Sequence, residues 1–242
     1  MTGGFLIREC EGRRYSVYVP ADYDPTKSWP TILFLHGAGE GGRDGILATE
    51  YQLGSAIRRE SARFPGLVVF PQVQSYQPVW LSGDVDFAFR VLDDVATSFA
   101  VDPERVYLTG VSTGAKAVWH ALFRRPSTFA AALVVCGVLR PELRDGSLAP
   151  DPDPVVPAGD VDPHAALAER VRDVPIWVFH GDDDPVFPVA DARATVAALR
   201  SAGAEVTYTE LPGFGHDVWD IAYYAPDVSA WLFDQRRGPA AP

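Results

Sequence analysis

The chain has 242 residues, of which 47% are hydrophobic and 22% are charged. These proportions are typical of a globular protein and exclude a chain that is disordered throughout. The 32 acidic residues outnumber the 21 basic ones and leave a net charge of -11, which repels nucleic-acid phosphates and anionic membranes. We therefore expect neither a nucleic-acid partner nor a membrane partner.

The N-terminal residues lack the basic region and the apolar stretch of a signal peptide, and no window reaches 18 apolar residues. We expect a soluble protein in the cytoplasm. The two cysteines, Cys10 and Cys136, each lie in an apolar run, which predicts two buried free thiols and excludes a disulfide framework. A nucleophilic thiol at Cys136 is the alternative to a structural one.

The first predicted elements are two short strands. Tyr15, Val17 and Val19 alternate in "RRYSVYVP", which indicates an antiparallel edge strand, and "FLIREC" is its expected hairpin partner across Glu11-Gly12. Six later segments are short, apolar on both faces and rich in β-branched and aromatic residues, as expected of covered parallel strands. They read "TILFLHG", "GLVVFPQ", "RVYLTG", "AALVVCG", "PIWVFHG" and "VTYTELPG".

Helical patterns lie between these strands. The clearest has apolar residues at i, i+3, i+4 and i+7 from Val85 to Phe99, behind a start signal at Ser82 and Asp84. Others are "STGAKAVWHALFRR", "DARATVAALRSAG" and "PDVSAWLFDQRR". Repeated strand–helix units predict an α/β fold with a mostly parallel twisted sheet, antiparallel N-terminal strands and helices on both faces.

A single domain is predicted over residues 1–236. Within it, Leu139 to Pro163 holds six prolines and six acidic residues without periodicity. This composition indicates a surface loop, with a lid over the site as the alternative. Residues 237–242 are expected to form a disordered tail.

A Gly-x-Ser-x-Gly pattern from Gly110 to Gly114 lies where a predicted strand turns into a helix. A serine on such a turn projects its hydroxyl clear of the backbone, and the flanking glycines avoid the crowding of a Cβ atom. The bare pattern is weak evidence, but its place between strand and helix strengthens it. Because ligands gather at the carboxyl ends of parallel strands, Ser112 is the predicted nucleophile.

A serine hydroxyl needs an imidazole to take its proton. His216 lies in a glycine-flanked turn after the last predicted strand, so it is the predicted base. His36 and His180 are expected to shape the loops at strand ends, and His120 is expected to point away from the serine. His164 lies in the proline-rich segment.

The imidazole in turn needs a carboxylate to orient it. Asp182, Asp183 and Asp184 are all candidates, and composition does not choose between them. The prolines at 185 and 188 favour Asp184, because they fix the direction of the chain after it. Asp217 is disfavoured, because a residue adjacent to His216 points elsewhere.

Backbone N–H groups are also needed for the oxyanion of a tetrahedral intermediate. Thr113 is expected to supply one, and Ala38 in "HGAGEGG" the other, although that stretch can also be read as a flexible glycine loop. The predicted substrate-binding residues lie on loops near the site, with core packing as the alternative. They are Gly37, Tyr76, Trp80, Phe187 and Phe214.

Over roughly residues 13–236 the chain resembles the α/β-hydrolase fold superfamily, and within it the small carboxylesterase/phospholipase-like branch with its peptidase-like and feruloyl-esterase-like members. The likeness is carried by "LHGAGEGG", "DPERVYLTGVSTGAKAVW", "PIWVFHGDDDPVFPV" and "LPGFGHDVWDIAYY". The resemblance implies Ser112, Asp184 and His216 as the catalytic triad. It also implies that Trp219, Asp220 and Tyr223 hold the histidine loop. Thr113 and Ala115 depart from the family, whose members often carry Met and Gly there.

The predicted function is that of a serine carboxylesterase, which hydrolyses small or aryl esters through an acyl-enzyme on Ser112. The expected partner is a small-molecule ester, and no metal or organic cofactor is expected. A small serine peptidase or amidase with the same triad is the alternative. A non-catalytic binding protein of the hydrolase fold is a second one.

Overall fold

The computed structural model describes residues 3–74, 79–140, 151–157, 159 and 162–238. Eight strands form one sheet in the order β1-β2-β4-β3-β5-β6-β7-β8. β1 and β2 pair antiparallel, as do β2 and β4, and all other neighbours are parallel. The strands are β1 Gly4–Cys10, β2 Arg13–Val19, β3 Trp29–Leu35, β4 Leu67–Pro71, β5 Val101–Val111, β6 Ala131–Val135, β7 Ile176–Gly181 and β8 Val206–Leu211.

Four of the seven helices in the described residues were predicted, namely α2, α3, α5 and α7. The missed helices are short, and α4 also lies at the end of the proline-rich segment, where Asp162 caps it ahead of Pro163. The helices are α1 Gln52–Arg59, α2 Ser82–Ser98, α3 Thr113–Arg124, α4 Pro163–Val171, α5 Val189–Ser201, α6 Trp219–Tyr224 and α7 Pro226–Asp234.

The N-terminal hairpin is confirmed, but the predicted edge position of β2 is wrong. β1 lies at the edge of the sheet, and β2 pairs on its other side with β4. Ser16 is fully buried between its apolar neighbours because the loop after β3 covers it, and its hydroxyl donates to the carbonyl of Gly45. The polar residue in the alternating pattern of β2 is therefore buried with a hydrogen-bond partner and does not mark an exposed face.

Two apolar layers cover the two faces of the sheet. Residues of α2, α3, α4 and α5 pack on one face, and residues of α1, α6 and α7 pack on the other. Along β3, Leu33 and Leu35 face the first layer while Ile32 and Phe34 face the second, and all four are fully buried. The predicted α/β-hydrolase architecture is confirmed.

Residues 151–157 of the proline-rich segment lie against α3. Lys116 Nζ contacts both carboxylate oxygens of Asp151, at 2.6 and 2.7 Å, and this ion pair is largely buried. His120 Nε2 lies 3.4 Å from the carbonyl oxygen of Asp153, and the Asp153 carboxylate accepts the backbone N–H of Ser82. Residues 141–150, 158, 160 and 161 lie outside the described residues, so the choice between lid and surface loop stays a prediction.

Asp191, in the first turn of α5, joins the two ends of this segment. Its buried carboxylate accepts the backbone N–H groups of Leu139 at 2.6 Å and Arg140 at 3.2 Å. His164 Nε2, on α4, lies 2.9 Å from the same carboxylate. This hydrogen bond outweighs burial and raises the pKa of His164 above its usual value of 6.5.

Strands from both halves of the chain share the sheet, but the predicted single domain over residues 1–236 stays a prediction. The predicted disordered tail over residues 237–242 also stays a prediction. Arg237 donates its backbone N–H to the carbonyl of Glu104 and a guanidinium N–H to that of Ser127. Residues 239–242 lie outside the described residues. None of the described helices is both long and apolar enough to cross a membrane.

We predict that Asp191→Ala lowers the free energy of unfolding by about 3–5 kcal/mol, because it leaves buried N–H groups and His164 without their acceptor. Urea denaturation measures the effect. The control is Asp173→Ala, whose side chain is 94% exposed and whose loss changes stability by less than about 0.5 kcal/mol.

The effect of Asp191→Ala also depends on pH. Because the folded pKa of His164 is raised, its contribution is present in full below 6.5 and is lost as the pH rises through the folded value. The difference between the wild type and the variant therefore shrinks in alkaline solution. Equal denaturation midpoints for the two proteins at pH 6 would contradict this role of Asp191.

Candidate active site

Ser112 lies on the sharp turn between β5 and α3. Its backbone has φ 54° and ψ -121°, in the left-handed half of the map that residues other than glycine rarely enter. The Ser112 N–H donates to the carbonyl of Val135 at 3.0 Å, and the Ser112 carbonyl accepts the N–H groups of Ala115 and Lys116. β6 and α3 thus hold the strained turn.

The glycines on either side of Ser112 are required by the end of β3. A Cβ atom on Gly114 would lie 2.1 Å from the carbonyl oxygen of Leu35 and 2.3 Å from that of His36. A Cβ atom on Gly110 would lie 2.7 Å from the Leu35 oxygen. The turn therefore packs backbone to backbone on β3, and no side chain fits between them.

The three residues of the predicted triad come together at the carboxyl edge of the sheet. His216 Nε2 lies 2.8 Å from Ser112 Oγ, and His216 Nδ1 lies 2.7 Å from Asp184 Oδ2. The ionised carboxylate can only accept, so Nδ1 carries the proton and Nε2 accepts the hydroxyl of Ser112. The hydrogen-bond chain is continuous from the serine to the carboxylate.

The carboxylate of Asp184 is fully buried and surrounded by donors. Its Oδ1 accepts the backbone N–H groups of Val186 at 2.8 Å and Phe187 at 2.9 Å. Burial alone raises the pKa of Asp184, but hydrogen bonds from His180, His216 and these backbone groups hold it far below its usual value. Asp184 is therefore ionised at neutral pH.

The contact between His180 and Asp184 was not predicted. His180 Nε2 lies 3.3 Å from Asp184 Oδ2 and also donates to the carbonyl of Phe187 at 2.8 Å. Sequence reasoning gave His180 a role in shaping the loop, which this second bond confirms. The signal for the contact was the spacing of four residues between a strand-end histidine and the acid.

The loops that carry the acid and the base are bound to each other. The N–H of Asp183 donates to the carbonyl of Phe214 at 3.0 Å, and the Asp182 carboxylate accepts a backbone N–H of the histidine loop at 2.6 Å. A Cβ atom on Gly181 would lie 2.2 Å from the carbonyl oxygen of Gly215. Asp182 and Asp183 thus fix the loop, and neither contacts the imidazole.

The two expected oxyanion donors flank Ser112. Thr113 is the first residue of α3, and Ala38 is the first residue of a 3-10 turn, Ala38–Glu40. N–H groups at such positions have no partner within their own helix. Gly37 brings the second turn close, because a Cβ atom built on it would lie 3.7 Å from Ser112 Cβ.

One of the predicted substrate-binding aromatics lies beside the base, and another is exposed on the same loop as the base. The ring of Phe187 packs edge-on against that of His216, with centroids 5.3 Å apart. Phe214 lies two residues before His216 and is 44% exposed. The Phe187 ring gives the neighbourhood of His216 an apolar character.

The prediction that Trp80 binds substrate is wrong. Trp80 is 3% exposed, its indole N–H donates to the carbonyl of His36 at 2.9 Å, and its ring packs on the His36 ring. It belongs to the apolar layer that includes α2, and its hydrogen bond to His36 holds the loop after β3. Tyr76 lies outside the described residues.

The residues expected to hold the histidine loop act differently from one another. Trp219 packs edge-on against His216, with ring centroids 5.9 Å apart, as implied by the resemblance. The hydroxyl of Tyr223 instead bonds to that of Thr109 on β5, at 2.8 Å, and, within the described residues, does not bond to the histidine loop. Asp220 is exposed.

The remaining strand-end groups are structural. His36 Nε2 accepts the N–H of Val73 at 3.0 Å, Nδ1 donates to the carbonyl of Gly37, and burial lowers the His36 pKa to about 4. Burial raises the pKa of the Cys136 thiol, which excludes a reactive thiolate. Cys10 is half-buried and not fully buried as expected.

No described group of three or more His, Cys, Asp and Glu residues is placed to hold a metal ion.

Several proteins with names of esterases are similar to this chain. The acyl-protein thioesterase 1 of Gibberella zeae is 24% identical over 229 residues, which are 85% of this chain and 90% of that protein. The probable feruloyl esterase C of Aspergillus niger is 23% identical over 221 residues, or 88% of this chain and 70% of that protein. A local match of 51% identity to the esterase LipQ of Mycobacterium tuberculosis covers 20% of this chain and 11% of that protein.

The crystal structure of a thermostable esterase superposes with a TM-score of 0.77 at 28% identity. The match covers 96% of this chain and 63% of that one. Together with the relatives, it confirms the predicted esterase-like branch of the α/β-hydrolases. The model of the prolyl oligopeptidase family matches residues 80–234. Because this match spans more than half of the 242 residues, the chain belongs to the prolyl oligopeptidase family.

Proposed function

We propose that the chain hydrolyses small or aryl carboxylic esters through an acyl-enzyme on Ser112. The observation that carries the proposal is the continuous hydrogen-bond chain from Ser112 through His216 to Asp184. An ionised, buried Asp184 fixes the tautomer of His216 and stabilises the imidazolium that forms during the reaction.

The reaction proceeds in two halves. Ser112 Oγ attacks the carbonyl carbon of the ester while His216 Nε2 takes its proton, and the carbonyl oxygen becomes an oxyanion. The intermediate collapses, the bond to the alcohol breaks, and His216 returns the proton to the leaving oxygen. Water then gives a proton to His216 and attacks the acyl carbon. The bond between that carbon and Ser112 Oγ breaks, the carboxylic acid leaves, and His216 returns the proton to Ser112. No step needs a metal ion or an organic cofactor.

The proposed oxyanion hole consists of the backbone N–H groups of Ala38 and Thr113. Both belong to the first turn of a helix or 3-10 turn, and Gly37 lets the second turn approach Ser112. Removing one donor from such a hole typically costs about 3–4 kcal/mol of transition-state stabilisation. Backbone donors are suited to this role, because they need no reorganisation when the charge forms.

The proposed substrates are small or aryl esters, because Phe187 packs against His216 and Phe214 on the histidine loop is exposed, so that both offer apolar surface to an acyl group. The name of the similar feruloyl esterase, which refers to an aryl acyl group, supports this class. A peptidase or amidase with the same triad is less favoured, since the two relatives described above that span 85% and 88% of this chain carry names of esterases. A cytoplasmic location stays a prediction.

We predict that Ser112→Ala lowers kcat for nitrophenyl esters by at least about 10⁴-fold, because it removes the attacking oxygen. Ser201→Ala, an exposed serine at the end of α5, serves as the control and keeps full activity. The panel contains acetyl, butyryl, octanoyl and hydroxycinnamoyl esters and one peptide nitroanilide.

We expect the highest kcat/KM on the short or hydroxycinnamoyl esters and the lowest on the anilide. Full hydrolysis by Ser112→Ala would overturn the assignment of the nucleophile. A preference for the anilide would favour a peptidase.

We further predict that Asp184→Asn lowers kcat by about 10⁴-fold, because an amide leaves the imidazole in the wrong tautomer. Asp183→Asn is the matched control, since Asp183 is its exposed neighbour and bonds to the histidine loop through its backbone alone. Equal losses in the two variants, measured as kcat on nitrophenyl acetate, would refute the assignment of the acid.

A further inference from the structure

Glu40 is a buried carboxyl group that the proposed reaction does not use. It is 8% exposed and ends the 3-10 turn that begins with Ala38. Its Oε1 accepts a long hydrogen bond of 3.3 Å from Gln52 Nε2 on α1. Its Oε2 has no hydrogen-bond partner within the described residues. A buried acidic oxygen without a partner is costly, so its position calls for an explanation.

The unpartnered oxygen faces the loop that carries the proposed oxyanion donor. A Cβ atom built on Gly37 would lie 3.1 Å from Glu40 Oε2 and 3.7 Å from Ser112 Cβ. The carboxyl group and the nucleophile thus approach the same glycine. Glu40 lies beside the oxyanion loop and outside the hydrogen-bond chain of the triad.

The backbone of this turn is weakly held on its own. The N–H of Glu40 reaches the carbonyl of Gly37 only at 3.5 Å, and no side chain caps the turn at Gly37. The other anchors come from Gln72, which donates to the carbonyl of Glu40 at 3.0 Å and accepts the N–H of Gly45 at 2.7 Å. They fix the end of the turn. At its beginning the carbonyl of Gly37 accepts His36 Nδ1, and the N–H of Gly37 is left to the Glu40 side chain.

The position of Glu40 suits this task. It is the third residue of the turn, and a Glu at that position of a capping box reaches back to the N–H of the capping residue, here Gly37. The N–H groups of Gly37 and Glu40 are near enough to lower the Glu40 pKa, but burial is the larger effect and raises it overall. A carboxyl oxygen that lies beside Gly37 and has no other partner within the described residues leaves the N–H of Ala38 for the substrate.

We propose that Glu40 is a positioning residue, whose carboxyl group holds Gly37 so that the Ala38 N–H points at the carbonyl oxygen of the substrate. This inference rests on the proposed ester hydrolysis at Ser112. Glu40 acts on the oxyanion through the loop and does not touch the ester. Its removal therefore affects the charged intermediate more than the bound substrate.

The test compares Glu40→Ala and Glu40→Gln with Glu60→Ala, an exposed glutamate, as the control. Two quantities are measured: kcat and KM on nitrophenyl acetate, and the inhibition constant of an aryl trifluoromethyl ketone, whose adduct with Ser112 carries an oxyanion. For Glu40→Ala we expect kcat to fall on the order of 10²-fold and the inhibition constant to rise by a similar factor. KM changes by less than about threefold. Glu40→Gln keeps most of the activity.

An unchanged kcat in Glu40→Ala, or a Gln variant as impaired as the Ala variant, would overturn the role of Glu40. So would a loss in kcat without a weaker trifluoromethyl ketone. If Glu40→Ala does not fold, Glu40→Asp, which withdraws the carboxyl by one methylene, decides by the same two measurements. If the proposed reaction at Ser112 is wrong, Ser112→Ala keeps its esterase activity. If only the role of Glu40 is wrong, Ser112→Ala loses its activity and Glu40→Ala keeps it.

Discussion

The backbone contact between the turn at Ser112 and the end of β3 is the constraint on which the site depends. A Cβ atom on Gly114 would lie 2.1 Å from the carbonyl oxygen of Leu35, so the turn and the strand meet without any side chain between them. This approach brings the first N–H of α3 and the loop from Gly37 to Glu40 to the same edge of the sheet. It also accounts for the strained backbone of Ser112, since a relaxed turn would separate the two.

The second requirement is a buried negative charge that stays ionised. Asp184 is removed from solvent, which opposes ionisation, yet two histidines and two backbone N–H groups donate toward it and reverse the effect. The same donors fix the direction of the carboxylate toward His216. Because the acid loop and the histidine loop are bound to each other at Asp183 and Phe214, the alignment of acid and base belongs to the fold and does not await a substrate.

The sequence predicted the elements of this site whose signals are local. The pattern around Ser112, the glycine-flanked His216 and the prolines after Asp184 each describe a backbone shape, and the structure has these shapes. Contacts between distant segments were missed: the orientation of Trp80 into the core depends on His36, and the role of Asp191 depends on α4 packing beside α5. Such contacts depend on which loops meet after folding, and residue spacing along one segment does not encode them.

The central claim is that the acyl group passes through Ser112, and covalent labelling tests it most directly. The protein is treated with a fluorophosphonate ester, digested, and the modified residue is identified by tandem mass spectrometry. The account predicts one phosphonyl group per chain, located on Ser112, and no labelling after prior treatment with the trifluoromethyl ketone. A label on any other residue, such as Cys136, or an unlabelled chain that still hydrolyses esters, would contradict it.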